Sequence, residues 1–150
     1  MERNAGGEVV KLSEHLSAIA IAKTPKELEA RCRAAHHQFK PNPPNRTWGA
    51  ISKARVARAA QLIAEHPNGH LIPVLGPRHL LTVCGETYKV GYGQNGAGVR
   101  WAWAGAEKWA MGVLKKNRVR AATQRTIWAW ALGDYPDRAL AAVEHLKVRK

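Results

Sequence analysis

The segment KPNPPN, residues 40–45, puts three prolines into six positions. Proline lacks the N–H that a helix interior needs, and its ring collides with the preceding turn, so no helix can run through this segment. The chain is therefore expected to break at 40–46, between N-terminal helices and the rest of a single domain over 1–150, in which the N-terminal helices form one packed unit and residues 70–150 another. Residues 1–8 are expected to be frayed.

Before the break, Val9, Leu12, Leu16, Ile19 and Ala20 recur at helical spacing and predict a helix from Val9 to Ala22. The next helix is announced by its start: Thr24 can cap, Pro25 suits the first turn, and Glu27 completes a capping box. It should run to about Phe39 on the stripe Leu28, Cys32, Ala35 and Phe39, with Glu27–Arg31 and Glu29–Arg33 as favourable pairs four apart. A third helix is predicted from Thr47 to Glu65, ended by Pro67-Asn68-Gly69. Trp48, Ile51, Val56, Ala59, Leu62 and Ile63 form its buried side, and Lys53, Arg55 and Arg58 project elsewhere.

The pattern then shortens. HLIPVLG, HLLTVCG and TYKVGYG read as strands between turn residues, giving one small antiparallel hairpin sheet around residues 70–92. Gly85-Glu86 suits a two-residue turn with glycine first, which sets Val83 opposite Tyr88 and Leu81 opposite Val90. Pro73 confines the first strand to an edge. A helix is predicted from Val99 to Lys116, although Val99, Trp101 and Trp103 also alternate as in a strand. Gly98, Gly105 and Gly112 recur every seven residues and would lay a flat stripe along that helix for a close backbone approach. Two more helices, 120–132 and 136–147, close the chain. The fold class is α+β, mainly helical, with five or six helices and the one small sheet.

Charge is the strongest functional signal. Lys and Arg number 24 against 11 Asp and Glu, a formal charge of +13. The acids are unevenly spread. None lies between Glu29 and Glu65, where Arg31, Arg33, Lys40, Arg46, Lys53, Arg55 and Arg58 fall. None lies between Glu107 and Asp134, where Lys108, Lys115, Lys116, Arg118, Arg120 and Arg125 fall. Sequence neighbours cannot neutralise such blocks, whereas a polyanion can, driven by release of its condensed counterions. A nucleic acid is the expected partner, and an acidic protein partner is the rival.

The stretch TQRTIWAWALGDYP, residues 123–136, follows the second block. Trp128 is turned about 100° from Ile127, whereas Trp130 is three residues on from it. One tryptophan should therefore be core and the other boundary or exposed. Thr123-Gln124-Arg125-Thr126-Ile127, then Trp130, Gly133, Pro136 and the apolar Ala139, Ala142, Val143 and Leu146 resemble the recognition-helix half of a Cro/phage-repressor-type helix-turn-helix. In that family a polar cap opens the recognition helix, a Gly ends it and a Pro starts the next. The family turn carries a glycine before the cap, and LKKNRVRAA does not. The resemblance implies that Gln124, Arg125 and Trp128 or Ala129 face the major groove, while Lys115, Lys116, Arg118 and Arg120 meet phosphate. It favours DNA over RNA and a homodimer. Lys53, Arg55 and Arg58 on the third helix are a second candidate phosphate surface, and an exposed Trp101 or Trp128 could stack on unpaired bases.

Other chemistries find less in the sequence. GYGQNG, residues 91–96, matches GxGxxG but lacks the later strand and acid of a dinucleotide fold, so no cofactor is expected. Cys32, His36, His66 and His70 include ligand types without a specific spacing, so no metal site is assigned. No carboxylate pair or nucleophile motif appears, and no catalytic residue is assigned. A metal-independent nuclease using His70, His79 and Lys89 is the remaining enzymatic alternative. Two cysteines make no disulfide framework, no apolar run is long enough to span a bilayer, and the polar start carries no signal sequence. The expectation is a cytoplasmic protein without membrane contact.

Overall fold

Thr24 opens the second helix as its pattern predicts. Its Oγ1 accepts the Glu27 N–H at 3.1 Å, and the Glu27 carboxylate accepts the Lys23 N–H at 3.2 Å. The computed structural model describes residues 10–40, 46–90 and 96–146, with the side chains of 96–102 left out. The expectations for residues 1–8, for the proline-rich segment 41–45, for most of the GYGQNG loop, and for Gly98 and Trp101 fall outside the described residues.

Among the described residues, six α-helices and three strands follow in the order α1 (Leu12–Ala20), α2 (Pro25–Gln38), α3 (Thr47–Glu65), β1 (Val74–Leu75), β2 (Leu80–Val83), β3 (Glu86–Lys89), α4 (Gly96–Lys116), α5 (Ala121–Ala131) and α6 (Pro136–Val143). The fold is α+β and mainly helical. The stripe of α2 is buried at Leu28, Cys32 and Ala35. Glu27 pairs with Arg31. Glu29 reaches Arg55 and Arg138 on other helices, not the Arg33 expected from sequence spacing.

The sheet has strand order β1-β2-β3, antiparallel throughout. Its register differs from the expected one: Leu81 faces Tyr88 and Val83 faces Glu86. The turn is therefore Cys84-Gly85, not Gly85-Glu86. Both turn residues have positive φ, 52° and 78°, which is the turn type whose twist matches the strands. The change of register is by two residues, so the faces are kept and Leu81, Val83 and Val90 remain inside. Tyr88 stacks on Trp109 of α4 at 5.2 Å. At Gly105 an added Cβ would lie 3.0 Å from the Tyr88 hydroxyl, so the stripe admits a side chain there and not a backbone; Gly112 faces open space.

The last helix joins the two packed units: α6 packs against α2 and α3 as well as α5. One apolar core includes Ile19, Leu28, Ile51, Leu71, Leu81, Leu114, Ile127 and Leu140. Gly69 fixes the route from α3 to the sheet. A Cβ there would fall 1.7 Å from the Ile63 carbonyl oxygen, so only glycine lets the chain turn back against the helix end.

Candidate nucleic-acid interface

The second basic block lies on a helix, a short turn and a helix. Lys115 and Lys116 end α4, Arg118 and Arg120 lie in the turn, and Arg125 is on α5. The turn is closed by backbone bonds. Val119 N–H donates to Leu114 O and Arg118 N–H to Lys115 O, both at 3.0 Å. This is the crossed pair of bonds that ends a helix when the next residue is left-handed. Arg118 takes that conformation, with φ 63°, where glycine is the usual choice. Val119, buried, packs the turn onto the core.

Arg120 is the N-cap of α5, with extended backbone and no side-chain cap. Thr123 lies in the first turn of α5 and does not cap it. The turn is held instead by Gln124, whose Nε2 donates to Val119 O at 2.8 Å. Gln124 is buried, and its amide is committed to that bond, so it is withdrawn from base readout. The exposed face of α5 consists of Ala121, Ala122, Arg125, Thr126 and Ala129. It is small and flat apart from one guanidinium.

The tryptophans are also placed differently from expectation: both Trp128 and Trp130 are half-buried. Trp128 meets Trp103 edge-on at 6.4 Å, and Trp130 meets Tyr135 edge-on at 5.8 Å. Each is engaged with its own aromatic partner.

Lys115, Lys116, Arg118, Arg120 and Arg125 are all exposed. Lys116 is bridged to Glu86 of β3 at 3.1 Å, a solvent-exposed pair of small net value. Among the described residues, Lys115, Arg118, Arg120 and Arg125 form no ion pair.

The first basic block behaves differently. Arg55 was assigned to phosphate, but it is 5% exposed and faces inward. Its Nε and Nη2 donate to Asp137 Oδ1 and Oδ2, each at 2.8 Å, and Nη2 also lies 3.3 Å from Glu29 Oε1. Glu29 accepts from Arg138 Nε at 2.7 Å. The Arg55 and Arg138 guanidinium carbons each lie 4.6 Å from the Tyr135 ring centre, and Arg138 is equally close to Trp130. Burial alone would raise the Glu29 carboxyl, but the hydrogen bonds and charges of Arg138 and Arg55 outweigh it and hold the group below its ordinary value.

Arg58 is likewise half withdrawn. Its Nε donates to Ala22 O, and its Nη1 to Gln61, both at 2.7 Å. Of the α3 candidates only Lys53 stays exposed, on a helix that packs mainly on α1, α2 and α6. The sequence carried a signal for Arg55, since it lies four residues from both Ile51 and Ala59, on the apolar stripe itself. Tyr135 and Arg138 had no comparable signal.

The other candidates are not assembled. His70 O accepts from Cys84 N–H, whereas His79 O accepts from Val90 N–H. His70 therefore lies at one end of β2, and His79 with Lys89 at the other. Cys32 is a core residue whose thiol is pushed up to about 11, mainly by burial. His36 packs on Trp48 at 4.6 Å, and burial and the nearby Arg55 lower its pKa. Among the described residues no group of three or more His, Cys, Asp or Glu is arranged to hold a metal ion. No described helix is long and apolar enough to cross a membrane. No family model, curated protein or solved structure matches this chain.

Proposed function

We propose that the α4–α5 turn and the free face of α5 bind duplex DNA, as the element of a small regulator of phage or mobile-element type. The observation carrying this reading is the exposed set Lys115, Arg118, Arg120 and Arg125, without ion pairs among the described residues, around a turn closed by backbone hydrogen bonds. Such a set supplies phosphate affinity by counterion release. The small face of α5 supports close approach to a groove floor. Arg125, at its centre, can address guanine O6 and N7 together. A helix enters the wide major groove of B-form DNA but not the narrow one of A-form RNA, which favours DNA. Two copies on paired half-sites are the expected assembly.

The test is a gel shift on duplex DNA, single-stranded DNA and structured RNA at two salt concentrations. Duplex DNA should bind best. The Lys115→Glu/Arg118→Glu/Arg120→Glu variant should weaken binding and flatten the log–log salt dependence by about three units, at roughly 0.9 per lost phosphate contact. Unchanged binding in that variant refutes the assignment. Retention of one acidic protein in the presence of excess DNA would favour an adaptor instead.

A further inference from the structure

A second site lies away from the basic turn. A concave pocket of about 760 Å³ opens between the C-terminal half of α3, the outer face of β1–β2 and the α5–α6 corner. That volume is within the range of small-molecule sites. In a chain with 23% charged residues, no Asp, Glu, Lys or Arg is found among the described residues lining it. Its walls are apolar at Ile63, Val74 and Leu132. A charged occupant would lose its hydration there without a counter-charge, at a cost of several kcal/mol. The lining therefore selects an uncharged ligand.

Two imidazoles, His66 and His70, are among the lining residues. His66 Nδ1 accepts the Asn68 N–H at 3.0 Å, so in the neutral ring the proton sits on Nε2, a donor. His70 Nδ1 lies 3.0 Å from Pro67 O, and a carbonyl only accepts, so Nδ1 carries the proton and Nε2 is an acceptor. Local backbone bonds thus fix opposite tautomers in two rings of the same pocket. One offers a donor, the other an acceptor. A primary or secondary amide on an apolar body presents the matching pair.

We infer that this pocket binds a small, uncharged, mainly apolar molecule bearing an amide-like donor–acceptor group. The inference is independent of what meets the basic surface.

Nile red, an uncharged apolar dye, is the probe for the full-length protein. Binding should saturate at one dye per chain with blue-shifted emission, and the Ile63, Val74 and Leu132 methyl resonances should move. Ala60 and Ala64 are exposed on α3 and line the pocket, so Ala60→Trp and Ala64→Trp fill it without disturbing the core. Each should weaken dye binding about tenfold or more while the thermal melt stays in place. Naphthamide should displace the dye about tenfold more tightly than ethylnaphthalene, the combined margin of the two hydrogen bonds. His66→Phe and His70→Phe should each cut that margin. Dye binding that never saturates, or methyl shifts confined to other residues, overturns the proposal even where a variant fails to fold. Equal displacement by the two naphthalenes overturns the amide specificity. Self-association that Ala64→Trp abolishes would assign the pocket to a second copy and likewise overturn it.

Discussion

Arg55 and Asp137, 82 residues apart in the chain, meet in the interior with two parallel N–H···O bonds of 2.8 Å. The side chains are 6% and 1% exposed, so this is a desolvated pair joining α3 to the first turn of α6. Pairs of this kind are costly to break and less costly to replace whole, because one partner alone leaves a buried charge uncompensated.

Asp137→Ala should therefore destabilise the fold by about 3–5 kcal/mol. The double change Arg55→Met/Asp137→Leu should cost far less. Urea denaturation of the three proteins checks both statements, and equal losses in the single and double variants would contradict them.

Glu29 sets a pH dependence at the edge of the same network. Its folded-state pKa is depressed, so it binds protons more weakly folded than unfolded. Its contribution is present above the ordinary carboxylate value and is lost as pH falls through the lower folded-state value. Melting temperature should fall over that acid window, and Glu29→Gln should flatten the fall. A variant with the same slope as the parent would show that other carboxyls govern it.

Arg118→Gly should act in opposite directions on stability and binding. Relief of the left-handed backbone should stabilise the fold by about 1 kcal/mol. Loss of one exposed cation should weaken DNA binding and lower the salt slope by about 0.9. A thermal melt beside a salt-dependent gel shift reads both.

Gln124 and Arg125 are adjacent and should separate cleanly. Gln124→Ala removes the bond to Val119 O and should cost about 1–2 kcal/mol of stability, with base preference unchanged. Arg125→Ala should leave stability within about 0.5 kcal/mol and relax preference at one base position. Binding selections over randomised duplexes with both variants decide between readout and scaffold.

Local chemistry made much of the fold readable. Thr24, Pro25 and Glu27 mark the start of α2, and Thr47–Glu65 has the bounds its apolar spacing predicts. The site was harder to read because its decisive partners are remote. Arg55 has no acid near it in sequence, and its counter-charges come from α2 and α6. Gln124 lies three residues before Ile127 on the buried face of α5, a spacing that marks it as interior, yet its amide made it look like a base reader. The hairpin turn lies one residue earlier than expected, and the register two, because Cys84, a non-glycine residue, takes a positive φ that sequence alone assigns to Gly85.

The Arg55–Asp137 pair also imposes an order on the birth of the protein. A ribosome delivers α3 long before residue 137, so the early helices emerge with a guanidinium that has Glu29 beside it but lacks its two-bond partner until Asp137 is synthesised. The closing helix is then the event that lets the opening ones settle, and vectorial synthesis ends in a concerted step.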